Sequence, residues 1–330
     1  MAKVSNAFDT FTAVGQREDL SQDIYSISPE ETPFVSSVGK RNVTNTKFEW
    51  QIESLPAVST AAQLEGDSIS ASAATNTTRL SNMCQILYRA FAVTNTQASV
   101  NRAGVADAFA HQAALASRAL KRDVESLMLL NQASNEASAD ATTARTTAGL
   151  GAWIRTNVDK ASDGTNPTNA IGTDPRNDGT ARAVTENILK AVLKLCYDNS
   201  ADQPSMIMVD SKSKQVISGF SGRASSTQVV ALPGAADEVN ANVSVYIGDF
   251  GTYTVHTNRF MDDSSGSRSS GACPDGFVLN PEFAKVASLR NYEMSTKGIV
   301  GDAQEGFIVW EGGLQVDNEG AHGLMADIGG

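Results

Sequence analysis

Between residues 47 and 53 the chain alternates without a break. Phe48, Trp50 and Ile52 fall on one side, and Lys47, Glu49, Gln51 and Glu53 on the other. Successive side chains of an extended backbone point to opposite faces, so this period of two predicts a strand with one buried face. A second strand is predicted over residues 86–96, where Leu87, Arg89, Phe91 and Val93 share a face. The stretch between them, residues 56–79, is rich in Ala, Ser and Thr and turns at Glu65-Gly66-Asp67. Together they read as a hairpin with a long, soft tip. Two strands alone are marginal in water, so something outside the hairpin must support it.

The period then changes. Residues 105–135 contain neither Gly nor Pro, and Val105, Phe109, Ala113, Ala116, Leu120, Val124 and Leu127 recur every three or four positions. That is one apolar helical stripe, with Lys121, Arg122, Asp123 and Glu125 opposite it or on its flanks. Wholly helical, the segment would run about 46 Å at 1.5 Å per residue, long for a globular domain. Its Ala-rich stripe suits close packing on a sheet, and the spacing keeps no strict heptad.

Residues 137–182 are polar and turn-rich, with Asp163-Gly164, Asn166-Pro167, Asp174-Pro175 and Asp178-Gly179. Only Leu150-Gly151-Ala152-Trp153-Ile154 reads as buried. A crossover between domains is expected here. An α/β block is predicted beyond it, beginning with a helix striped by Val184, Ile188, Val192 and Leu195 and a buried strand, Met206-Ile207-Met208-Val209. A helix over residues 211–217, capped by Asp210 or Ser211, and a hairpin turning at Gly248-Asp249-Phe250-Gly251 complete it. Strands are predicted again at residues 277–279, 286–294 and 307–310, then a last strand and extended tail over 316–328. The first 40 residues are irregular apart from a short helix near 32–38. Phe8, Phe11, Ile24, Tyr25 and Ile27 are too many large apolar groups for a solvated tail. They predict an arm that docks on this chain's core or on a neighbouring subunit.

Composition narrows the class. Of 330 residues 41% are hydrophobic and 19% charged, which suits a folded chain. No apolar run is long enough for a membrane span, and the N-terminus lacks the apolar core of a secretory signal. A net charge of −11 argues against a general grip on nucleic acid. Cys84, Cys196 and Cys273 are an odd, scattered set, read as buried free thiols in a reducing compartment. His111, His256 and His322 share no metal-ligand spacing. No nucleophile elbow, Walker loop or dinucleotide fingerprint is present. Asp249-Phe250-Gly251 lacks the other kinase motifs and reads as a turn. The acidic groups at 174–178 and 198–202 do not match a calcium loop. No catalytic, cofactor-binding or metal-binding residue is therefore assigned, and the chain is not read as an enzyme.

The order of elements resembles the major capsid protein of tailed bacteriophages, the fold also found in the herpesvirus capsid floor. The resemblance is to a branch that begins directly with the arm, and it covers nearly the whole chain. Phe8-Asp9-Thr10, Gly15-Gln16-Arg17-Glu18-Asp19-Leu20, Ile24-Tyr25-Ser26-Ile27-Ser28-Pro29 and Thr32-Pro33-Phe34 carry it in the arm. Phe48-Glu49-Trp50 and Ala62-Gln63-Leu64-Glu65-Gly66 look like that branch's hairpin, and Leu120-Lys121-Arg122-Asp123-Val124-Glu125 like its spine helix. Thr146-Thr147-Ala148-Gly149-Leu150 and Asp178-Gly179-Thr180 resemble its crossover.

The resemblance implies an α+β fold: an N-terminal arm (1–41), an extended hairpin loop (42–97), a peripheral domain with spine helix and crossover (98–180), an α/β axial domain (181–276), and a return to the peripheral domain with a C-terminal tail (277–330). It implies a shell subunit that forms hexamers and pentamers with itself and encloses double-stranded DNA without reading its sequence. It implies no cofactor and no membrane, assembly in the bacterial host cytoplasm, and residence in the virion shell. The first predicted strand starts near Lys47, leaving no room for a fused scaffolding segment, so a separate scaffolding protein or none is expected, with a portal and a decoration protein as further partners. Residues 56–79 contain no lysine, so no loop-lysine crosslink is expected. Phe48, Trp50, Ile52, Phe34 and Tyr25 are the expected subunit-contact residues. The rival readings are a cellular encapsulating shell of the same fold, a decoration or tail-tube protein, and a hydrolase with a dispersed triad.

Overall fold

The computed structural model of the chain describes residues 31–56, 58–68, 76–100, 105, 107–136, 142–200, 202–220, 244–261, 275–298 and 301–329. Their elements in chain order are α1 (Pro33–Ser37), β1 (Gly39–Asn42), β2 (Lys47–Ile52), β3 (Thr78–Met83), β4 (Gln85–Thr94), α2 (Asn95–Ser99), α3 (Ala108–Leu129), α4 (Leu150–Trp153) and β5 (Val158–Asp159). Then come α5 (Glu186–Asn199), β6 (Met206–Val209), α6 (Ser211–Ser218), β7 (Val245–Gly248), β8 (Gly251–Thr257), β9 (Gly276–Leu279), β10 (Ala284–Thr296), β11 (Ala303–Val316) and β12 (Gly323–Met325). They build a four-stranded sheet in the order β1-β10-β11-β4, a six-stranded sheet in the order β5-β12-β9-β6-β8-β7, and the separate pair β2-β3.

The long helix α3 lies on the four-stranded sheet. Asp107 caps it by accepting from the Phe109 and Ala110 amides, and Leu120, Val124, Leu127 and Met128 are buried. The Phe91 and Phe109 rings meet at 5.0 Å, and Arg89 of β4 pairs with Asp123 at 2.6 Å. The helix is shorter than the uninterrupted 105–135 pattern predicts, 22 residues or about 33 Å. Its end has a physical cause. Asn131 exchanges side-chain hydrogen bonds with the backbone of Arg176, and Gln132 donates to Gln85 and to the Thr147 carbonyl. These ties pull the chain out of the helix after Leu129.

The hairpin expectation needs correction. The strand carrying Phe48 and Trp50 pairs with β3, with Phe48 opposite Asn82 and Trp50 opposite Leu80. The predicted partner, β4, joins β11 instead, with Leu87 opposite Trp310. Thr78–Met83 escapes the alternation rule because a polar residue, Asn82, holds an inward position. Its amide donates to the Ala148 and Leu314 carbonyls, and its oxygen accepts from the Met83 and Ala148 amides, so the buried group is fully bonded. The pair β2-β3 lies against β11 at Gly313. A side chain there would meet the Met83 carbonyl at 2.6 Å and the Thr147 hydroxyl at 2.5 Å.

The six-stranded sheet has a dry centre. β6 and β9 are buried at every position, as continuous apolar runs covered on both faces should be. α5 packs on β12 with Leu189, Val192, Leu193 and Cys196 buried, and Asp210 caps α6 through the Lys212 and Ser213 amides. β7 and β8 form the hairpin predicted at Gly248-Asp249-Phe250-Gly251. β9 and β12, expected among the strands of the spine helix, pair with β6 and β9 in this second sheet. Every residue from 320 to 328 is buried, so the chain's end is part of the core.

Candidate subunit-contact site

Phe34, Phe48 and Trp50 are buried in this chain's own core, at 0%, 4% and 9% exposure. The Trp50 indole donates to the Val316 carbonyl at 3.0 Å, and its ring lies 5.4 Å from Trp153 and 5.8 Å from Phe48. Ile52 is partly buried against the same cluster. Within the single chain, its own elements cover Phe34, Phe48 and Trp50. The β2-β3 pairing turns Phe48 and Trp50 onto β11 and α4, while Phe34 lies on α1 beside Glu125 of α3. Tyr25 lies outside the described residues, with Phe8, Phe11, Ile24, Ile27 and Cys273.

Large apolar groups are exposed elsewhere. Leu55, Val58 and Leu64, in the extended segment after β2, stand 93%, 93% and 81% open. The same stretch carries Glu53, Glu65 and Asp67 and no basic residue between 53 and 68. Tyr88 and Ile86 are exposed on the face of β4 turned away from α3, and Val245 and Ile247 on β7. Isolated exposed apolar groups need no explanation, but several of them along one segment offer surface to a partner.

Two buried polar clusters hold the frame behind this surface. Glu125 of α3, expected on the helix's polar flank, is fully buried. Its carboxylate accepts from the Phe34 and Val35 amides of α1, both at 2.8 Å, and from the Asn258 side chain at 2.6 Å. Burial pushes its carboxyl up against the opposing pull of those three donors. Arg176, in the crossover, donates to Asp327 at 2.8 Å and to both oxygens of Asp275 at 2.9 and 3.0 Å, and pairs with Asp178 at 2.6 Å. Burial works against the charged guanidinium, but the three carboxylates outweigh it and hold it firmly protonated. Nothing in local periodicity marks these residues, because their partners lie far along the chain.

The remaining titratable groups suit a frame. Burial pushes the Cys84 thiol to about 11 and Cys196 to about 12, so both are inert. His322 is fully buried, and desolvation lowers it to about 4. The folded chain therefore keeps His322 neutral while the unfolded chain protonates it below about 6.5. Its contribution is complete above that pH and lost as pH falls towards 4, about 3 kcal/mol in all. Urea midpoints measured between pH 7 and 4 should show this slope, and His322→Gln should flatten it. An unchanged slope would remove His322 from the account.

Among the described residues no group of three or more His, Cys, Asp or Glu is placed to hold a metal, and no helix is long and apolar enough to cross a membrane.

Solved structures share this arrangement. The Cyanophage A-1(L) capsid is similar at TM-score 0.64 with 14% identity, over 97% of this chain and 98% of that one. The capsid of a native GTA particle gives 0.61 with 11% identity, over 99% of both chains. The capsid of Myoviridae phage XM1 gives 0.59 with 12% identity, over 94% of this chain and 96% of that one. The fold is that of tailed-phage capsid proteins. A curated relative, the major capsid protein of Escherichia phage Phieco32, is 30% identical over 134 residues, 40% of this chain and 38% of that protein's length. The model of the SU10 major capsid protein family matches residues 3–329, and the chain belongs to that family.

Proposed function

We propose that this chain is the shell-building subunit of a phage head. Copies gather into hexamers and pentamers, which close as an icosahedral container around packaged double-stranded DNA. Family membership over residues 3–329 carries this reading. The fold supports it: a two-sheet body with Leu55, Val58 and Leu64 left exposed among the described residues. Shell residence, assembly in the host cytoplasm, and a separate scaffolding protein, a portal and a decoration protein as partners belong to the same proposal. The net charge of −11 keeps the wall from gripping the genome.

The proposed contact moves from Phe48 and Trp50 to Leu55, Val58 and Leu64. Covering one such side chain contributes about 1.5–3 kcal/mol, and a closed ring repeats the contact so that weak links act together. Replacing all three by serine should leave the unassembled chain's stability within about 0.5 kcal/mol, because among the described residues their side chains stand almost fully exposed. Shell formation, followed by sedimentation and negative-stain microscopy, should be lost. Normal shells from this variant would exclude the segment as a contact.

A further inference from the structure

We infer that Glu125 is a coupling joint, through which the docking of α1 and the placement of the two sheets depend on each other. The carboxylate belongs to α3, which is fastened to the four-stranded sheet by the Arg89–Asp123 pair and the Phe91–Phe109 contact. One oxygen, Oε1, serves two donors at once: the Phe34 amide of α1 and the Asn258 side chain. Asn258 is bound in turn to the six-stranded sheet. Its amide donates to the Val209 carbonyl at 2.9 Å, and its side chain lies 3.4 Å from the Met208 sulfur. The other oxygen, Oε2, takes the Val35 amide. One fully buried group thus fixes the root of the N-terminal segment to both sheets.

The arrangement has a mechanical consequence. A rotation of the six-stranded sheet relative to α3 draws Asn258 away from Oε1. The carboxylate then turns or loses a donor, and its bonds to α1 weaken with it. Conversely, undocking α1 removes Phe34 from the core and leaves Asn258 facing a carboxylate that water can reach. Hydrogen bonds to a charged group are strong and directional, so the link is stiff.

Hydrogen exchange on the full-length chain tests this, reading the Phe34 and Val35 amides with Ile207 of β6 and Val278 of β9 as references. Glu125→Gln leaves Val35 facing an amide instead of an acceptor and should speed exchange at α1 roughly tenfold or more. The decisive variant is Asn258→Ser, whose link to α1 is the Glu125 Oε1 they share, since a rise at Phe34 and Val35 there, with the references unchanged, is the coupling itself. If Asn258→Ser leaves α1 exchange at the wild-type level, Glu125 is a local anchor and the inference is overturned. A rise spread equally over the reference amides also overturns it, because the group would then hold the whole fold and not the joint.

Discussion

Arg176→Met should cost the fold about 3–5 kcal/mol at pH 7, the usual penalty for stranding buried charges. The guanidinium is fully enclosed, with Asp275 at 3% and Asp327 at 0% exposure. Methionine fills similar volume but removes the countercharge that both carboxylates share. Asp275 loses both of its bonds from Arg176 and keeps the Asp327 amide, while Asp327 keeps the Ala161 and Gly179 amides. Arg176→Lys should recover only part of the loss, because a single ammonium cannot fork to two carboxylates as the planar guanidinium does.

The pH dependence separates this cause from simple packing. In the wild type, burial opposes ionisation of Asp327, but its amide donors and Arg176 together hold it below the usual carboxylate range. Without the guanidinium, burial weighs more heavily at Asp327, which should take up a proton more readily in the folded state. Protonation then favours folding, so the deficit of Arg176→Met should shrink from pH 7 to pH 5. Urea unfolding of both proteins at the two values gives the comparison. A deficit under about 1 kcal/mol at pH 7 would mean that the cluster is solvated and does not lock the crossover to the chain's end.

These polar clusters mark where sequence reading runs out. Elements with a local signature were legible. Met206–Val209 announces itself as a buried strand by an unbroken apolar run, α6 by Asp210 at its cap, and the β7-β8 hairpin by glycines on both sides of its turn. The α3 stripe was legible too, although its limits were set by Asp107 and by ties of Asn131 and Gln132 to distant backbone. Strand pairing is a different kind of fact. β3 carries little alternation because Asn82 faces inward, so the apolar β4 looked like the natural mate for β2. Arg176 and Asp327 lie 151 residues apart, and Glu125 and Phe34 lie 91 apart. A charged residue at such a position looks like a solvated one until the fold brings its partner. The candidate contact residues meet the same limit: an apolar strand face shows that something covers it, not whether the cover is this chain or the next.

Trp50→Ala separates those two covers. If Trp50 served a neighbour, the unassembled chain would not notice its loss and only shell formation would suffer. The structure instead places it between Trp153 and Phe48, with its indole bonded to the Val316 carbonyl. Removing it leaves a large cavity where β2, α4 and β11 meet, and should lower the stability of the unassembled chain by about 3–5 kcal/mol. Trp50→Phe keeps most of the packing and orphans one carbonyl, a loss of about 1–3 kcal/mol. Denaturant unfolding before assembly measures both. A Trp50→Ala chain with the wild-type midpoint that still failed to form shells would return this residue to the interface. The opposite pattern, lost stability here beside unchanged stability in the Leu55, Val58 and Leu64 variant, would place the boundary between core and contact just past the end of β2.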